Sequence, residues 1–168
     1  MIACGKHFPG HGDTDVDSHL ALPIVDHDRA RLDAVELAPF KAAIAAGIGS
    51  ILTAHIRFNR IDPGLPATLS PAILTGILRQ DLGYEGLITT DCLEMRGITD
   101  HWGAGEAAVL AVEAGADLLL ACHTLKTQVA MRDALVDAAT SGRISGERIN
   151  ESVTRVLNAK TRWLTAVN

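Results

Sequence analysis

One short stretch of this chain crowds together groups that move protons and hold charge: Gly5-Lys6-His7-Phe8-Pro9-Gly10-His11-Gly12-Asp13-Thr14-Asp15-Val16-Asp17-Ser18-His19. Burying so many ionisable side chains without partners would be costly. The glycines and Pro9 punctuate the backbone, so the stretch reads as a loop that presents polar chemistry. Within it, Asp17-Ser18-His19 places a carboxylate two residues before an imidazole. On extended backbone both side chains project to one side. The carboxylate can then hold the ring's tautomer and adjust its pKa, which makes His19 a candidate general acid/base and Asp17 its orienting partner. A solvated loop pair is the plainer alternative. Lys6 and His7 can donate hydrogen bonds to a polyhydroxylated ligand, or Lys6 can simply neutralise the nearby aspartates.

Two more polar groups stand at expected strand ends. Asp91 directly follows Leu87-Ile88-Thr89-Thr90, and a strand holds a side chain there with the rigidity that a nucleophile needs. A carboxylate capping the following turn is the alternative. His55 ends the run Ser50-Ile51-Leu52-Thr53-Ala54-His55 and joins Lys6 and His7 as a candidate substrate-binding residue.

Metal binding is a rival for the loop, because His7, His11, Asp13, Asp15, Asp17 and His19 are all ligand types for Zn²⁺ or harder cations. Their spacing matches no zinc pattern and paired cysteines are missing, so no metal ligand is assigned. Loss of activity with a chelator, restored by Zn²⁺, would mark the metal reading. Elsewhere the expectations are bland. Cys92 and Cys122 read as small core residues, Trp102 and Trp163 as packing, and Asp26-His27-Asp28-Arg29 as a solvated helix entry.

The elements that must position these groups follow from apolar runs and punctuation. Short strands are expected at Ile2–Cys4, Ser50–His55, Gly86–Asp91 and Ala116–Cys122. Helices are expected at Arg29–Ala46, from Ser70-Pro71 to about Leu82, at Gly105–Ala114, Lys126–Ser141 and Ser145 to about Leu164. The second of these has an N-cap serine followed by a first-turn proline, and it stops at Gly83. Strand and helix alternate with no hairpin signal, which argues for an α/β fold with a parallel sheet. Leu118-Leu119-Leu120 suits a strand buried on both faces. Four βα units are half of a (β/α)8 barrel, whose usual length is roughly 250 residues, so the chain reads either as a small open α/β sheet or as half a barrel that needs a partner, with a C-terminal helix in both cases.

Bulk properties narrow the function. The chain has 168 residues, 48% of them apolar, and a net charge of −5. That is one domain's worth of core, with no basic run to suggest nucleic acid. Three cysteines without framework spacing imply free thiols. No apolar run is long enough for a bilayer and no signal peptide opens the chain, which points to the cytoplasm.

The first motif, Lys6-His7-Phe8-Pro9-Gly10-His11-Gly12 with Asp17-Ser18-His19, resembles the signature of family-three glycoside hydrolases of the β-N-acetylglucosaminidase type. Ile88-Thr89-Thr90-Asp91-Cys92-Leu93-Glu94-Met95 resembles that family's nucleophile segment, and the likeness runs to roughly Leu164. It implies a retaining hydrolase that removes terminal β-linked N-acetylglucosamine from cell-wall fragments or chitin-derived sugars. Asp91 would be the nucleophile, His19 with Asp17 the acid/base on a mobile loop, and Lys6 and His7 ligands of sugar hydroxyls. No metal or organic cofactor is implied, and no nucleic-acid or membrane partner. Family members carry a whole barrel, whereas residues 1–168 resemble the C-terminal half of one. The N-terminal half, with an aspartate and arginines that grip the sugar, is expected to come from a second copy or from a separate segment; the alternative is that the chain is an inactive fragment of such an enzyme.

Overall fold

The computed structural model describes residues 1–164. Its main sheet has four parallel strands, β1 (Cys4–Phe8), β3 (Ser50–Thr53), β5 (Leu87–Cys92) and β6 (Leu118–Leu120), side by side in chain order. A second, two-stranded parallel ribbon, β2 (Ile24–Val25) with β4 (Arg57–Phe58), ties together the loops that follow β1 and β3. The sequence carries no strong signal for it, since each strand is only two residues long.

Between the main strands the chain is helical: α1 (Arg29–Arg31) and α2 (Ala38–Ala45), the segment Ala72–Asp81, α3 (Arg96–Thr99) and α4 (Ala104–Ala114), then α5 (Leu125–Thr140) and α6 (Gly146–Leu164). The single helix expected over Arg29–Ala46 is interrupted. Its middle, Leu32–Glu36, is wide-turned, with Leu37 N–H donating to the Leu32 carbonyl five residues back, and Pro39 enters α2 without an N–H to give. Ser70 caps the next helix as its position predicts, its hydroxyl accepting from Ile73 N–H at 3.3 Å. Gly47 (φ +78°) and Gly83 (φ +63°) end their helices in the left-handed region, where a side chain would be strained.

Two strand expectations need correction. The first strand is Cys4–Phe8 rather than Ile2–Cys4, so Lys6 and His7 stand on a strand and not in the loop. Pairing of Cys4, Gly5 and Lys6 with Ser50, Ile51 and Leu52 overrides the weak local preference of these residues. The register shifts between Lys6 and Phe8, and the Lys6–His7 and Phe8–Pro9 peptide bonds are both cis. The last strand, Leu118–Leu120, is not buried on both faces. Leu118 is 37% exposed and its neighbours are half-buried, because among the described residues β6 pairs with β5 alone.

The core lies between the sheet and the helices that follow its strands. Phe8, Ile51, Ile88, Leu74, Leu78 and Ile98 are completely buried, each worth about 1.5–3 kcal/mol in transfer from water. Alanines 107, 108, 111 and 114 are buried on α4, and their small side chains let it lie close. Cys92 is buried as expected, whereas Cys122 is exposed past the short edge strand. Trp102 packs half-buried against the core, and Trp163 of α6 lies against Gly49 with Arg162 stacked on its ring.

At the N-terminal end of the sheet Asp117 gathers three arginines. Its carboxylate, 0% exposed, meets Arg79 at 2.5 Å, Arg155 at 3.3 Å and Arg148 at 3.4 Å. It also accepts from Ser152 Oγ at 2.9 Å and from Ile88 N–H at 3.0 Å. Burial lowers the Arg79 pKa to about 10, against the pull of Asp117, which still leaves it charged at neutral pH. Removing one partner of a buried ion pair typically costs 3–5 kcal/mol. Asp117→Ala is therefore expected to lower the unfolding free energy by about 3–5 kcal/mol in urea titration. A loss below about 1 kcal/mol, the scale of an exposed pair, would show the cluster to be ornamental.

His55 is wholly buried, between strands rather than at the surface. Nε2–H donates to the Cys92 carbonyl at 3.0 Å, and Nδ1 lies 2.8 Å from the Thr68 hydroxyl. Burial holds its pKa below the ordinary 6.5. The unfolded chain therefore binds a proton that the folded chain refuses, so stability is complete above about pH 6.5 and falls as pH drops below it. Urea midpoints are expected to fall between pH 7.5 and pH 5, and His55→Gln to flatten that dependence. An unchanged slope in the variant would shift the cause to other groups, His7 among them.

Candidate active site

Every main strand runs in the same direction, so their C-terminal ends open on one face. Asp91, the fifth residue of β5, presents its carboxylate there with 24% of the side chain exposed. Oδ1 accepts the N–H of Cys92 at 2.7 Å, which fixes the carboxylate's rotation. Oδ2 faces the Nε2 of His7, 3.5 Å away across the end of β3. His55 lies underneath. By binding the Cys92 carbonyl it holds the backbone next to Asp91 in place, so its part is support. The expectation that it contacts substrate is corrected by its burial and its two occupied nitrogens.

The His7 pKa is lowered, first by burial and then by the neighbouring Lys6, His11 and His19, while Asp91 opposes the shift. Those influences place Lys6, His11 and His19 within electrostatic range of the same imidazole. A neutral His7 suits hydrogen bonding to a neutral ligand. Lys6 and His7 also border an open cleft of about 500 Å³, shared with His11, Asp13, Arg31 and Glu36. A cleft of this size admits a sugar unit.

Asp17 and His19 form the pair that their spacing suggests. His19 Nδ1 lies 2.9 Å from Asp17 Oδ1, and the same oxygen accepts the His19 backbone N–H at 2.9 Å. These two bonds, the backbone one foremost, lower the Asp17 pKa, so the carboxylate stays charged beside the ring. Both side chains are well exposed. With Nδ1 engaged by Asp17, Nε2 is the atom free to exchange a proton with solvent or ligand.

The loop carrying the pair is pinned beneath it. Ser18 is buried, its carbonyl accepts Gly97 N–H at 3.2 Å, and its hydroxyl lies 3.3 Å from His11 Nε2. A Cβ on Gly97 would sit 3.1 Å from the Ser18 oxygen, so only a glycine lets the loop settle this close to α3. Asp26-His27-Asp28-Arg29 is less free than a solvated helix entry. His27 pairs with Asp13 at 2.7 Å, Asn59 donates to Asp26 at 2.8 Å and Asp28 caps α1. The loop histidines and aspartates do not converge on a common point. Among the described residues, the cluster of metal-ligating types that does converge is Cys92, Glu94 and His123.

Sequence reading gave Glu94 and His11 no part in building the site. Glu94 accepts His123 N–H at 2.6 Å and Thr124 N–H at 2.9 Å, which lowers its pKa to about 2 and fastens the start of α5 to the end of β5. Its place three residues after Asp91 was the available signal. His11 holds Thr14 and Ser18 from inside the loop; as one histidine of three, nothing local set it apart.

Comparison with known proteins gives this arrangement its context. Residues 1–159 match the profile of the glycosyl hydrolase family 3 N terminal domain. Beta-hexosaminidase A of Pseudoalteromonas piscicida is 37% identical over 180 residues, which take in 96% of this chain and 30% of that protein. A beta-hexosaminidase of Alkalilimnicola ehrlichii is 36% identical over 172 residues, 99% of this chain and 49% of that one. The solved family 3 beta-N-acetylglucosaminidase of Paenibacillus sp. str. FPU-7 superposes with a TM-score of 0.96 at 54% identity, covering 99% of this chain and 32% of that chain. The chain thus spans between about a third and a half of the length of these relatives. With nearly its whole length matched in both sequence and structure, the chain belongs to glycosyl hydrolase family 3.

Proposed function

We propose that this chain holds the reacting groups of a retaining β-N-acetylglucosaminidase, acting on terminal β-linked N-acetylglucosamine. The observation that supports this most directly is the approach of His7 to Asp91 on the face that also bears the Asp17–His19 pair. One carboxylate on a rigid strand and one oriented imidazole are a nucleophile and an acid/base, the two roles that retaining hydrolysis requires. The resemblance to family members named for this activity points the same way.

In the first half-reaction an Asp91 oxygen attacks the anomeric carbon. The bond to the leaving oxygen breaks as His19 Nε2 gives that oxygen its proton. In the second half, water approaches the same carbon and loses a proton to Nε2, and the Asp91 carboxylate departs. Asp17 stabilises the imidazolium when the ring is protonated. Lys6 and His7 donate to sugar hydroxyls, and Cys92 N–H together with the His55 contact keeps Asp91 aimed. No step needs a metal ion or an organic cofactor.

A partner completes the site in this reading. The flank of β6 away from β5, with exposed Leu118, continues into an apolar groove lined by Met131, Leu135, Val136 and Val153. Edge strands and apolar patches of this kind favour association, and the occupant we favour is a second barrel half. No helix among the described residues is long and apolar enough to cross a membrane. Phosphate can also serve as the acceptor on this scaffold, since a beta-glucoside phosphorylase shares it at 29% identity and a TM-score of 0.89.

Hydrolysis of a chromogenic β-N-acetylglucosaminide, with solution mass recorded, tests the assignment. Asp91→Ala is expected to abolish turnover without changing the unfolding midpoint by more than a small margin. His19→Ala is expected to slow it by about 10²–10⁴-fold, the usual contribution of a positioned proton donor. Activity of Asp91→Ala close to the parent would sink the reading. Phosphorolysis shows itself as sugar phosphate formed only when phosphate is added.

A further inference from the structure

Glu94 ends beside two sulfur atoms and an imidazole that the glycosidase chemistry does not use. The ligand atoms of Cys92, Glu94 and His123 all lie within 4.8 Å of one another. Cys92 Sγ is 3.8 Å from Glu94 Oε2. The Cys122 thiol adjoins that of Cys92, a contact that pushes the Cys122 pKa up. Two strands and one helix start build this cluster. Cys92 ends β5, Cys122 and His123 follow β6, and Glu94 is held by the His123 and Thr124 N–H groups that open α5.

We propose that Cys92, Glu94 and His123 form a binding site for a thiophilic divalent cation, with Zn²⁺ the best match. A thiolate, an imidazole and a carboxylate are the ligand types of zinc, and three protein ligands leave a position for water. Glu94 Oε1 and Oε2 accept the N–H groups of Thr124 and His123, and Oε2 also faces the Cys92 thiol at 3.8 Å, the contact that the metal would take over. The two N–H bonds act as the outer shell that orients a metal-ligating carboxylate. His123 and Cys122 are exposed, which gives the ion an entry path, while Cys92 is largely buried and supplies the inner end. The metal replaces the Cys92 thiol proton, which goes to solvent. Cys92 also gives its N–H to Asp91, so an ion here would sit one residue from the proposed nucleophile and outside the chemistry itself.

The test is titration of the full chain with Co²⁺, read by absorption and independent of turnover. Saturation at one equivalent is expected, with a near-ultraviolet thiolate-to-cobalt band that Zn²⁺ displaces. Cys92→Ser should remove the band, and His123→Ala, at an exposed position that leaves folding intact, should weaken binding by more than about tenfold. His11→Ala and His27→Ala should leave it unchanged. No saturable band, or one that survives both Cys92→Ser and His123→Ala, would overturn the site. Binding lost instead in the His11 variant would place the metal on the glycine-rich loop and overturn it equally.

Discussion

A single buried carboxylate organises the end of the sheet opposite the chemistry. Asp117 gives its backbone N–H to the Ile88 carbonyl at 2.8 Å and receives Ile88 N–H on its side chain. Through Arg79 it holds the helix behind β5, and through Arg148 and Arg155 it holds α6. A charge in that position can only be tolerated if it is matched, and three guanidiniums more than match it. Glu151, 3.5 Å from Arg148 and 3.6 Å from Arg155, takes up part of the surplus positive charge, and water reaches the partly exposed heads. Since Ile88 lies on the strand that ends in Asp91, the lock at one end sets the register from which the reactive carboxylate projects at the other.

The opposite face is built on lighter supports of a different kind. Ser18 sits between His11 and Gly97, His55 between Thr68 and the Cys92 carbonyl, and Glu94 against the first N–H groups of α5. Each is one side chain satisfying backbone or hydroxyl groups from another loop. Loops so pinned keep their polar side chains exposed and still hold them in place, which is what preorganisation asks of a site.

How far all this was legible in the sequence depends on how local each feature is. The alternation of strand and helix shows in the apolar runs, and the Asp17–His19 pair in a spacing of two, because both are settled by neighbours along the chain. The approach of His7 to Asp91 is set by the packing of β1, β3 and β5, and only the rule that parallel strands share an end foretold it. β1 was misplaced because Gly5, Lys6 and His7 have little strand preference of their own and acquire it from β3. Leu118-Leu119-Leu120 looked doubly buried since a run of leucines carries no information about whether a further strand flanks it. Likewise His55 looked like a ligand group; the two contacts that bury it come from Thr68 and Cys92, distant in sequence.

The order of the main sheet has a consequence for how it is made. Each strand's neighbour is the main strand just before it in the chain, so every pairing closes a loop no longer than one βα unit. Closing short loops costs little entropy, and topologies of this sort fold quickly for their size. Emerging from a ribosome, each unit would find its docking surface already formed. Asp117 falls between its partners in this sequence, after Ile88 and Arg79 and before Arg148 and Arg155. It can therefore fasten first to what has folded and then receive the helix still to come.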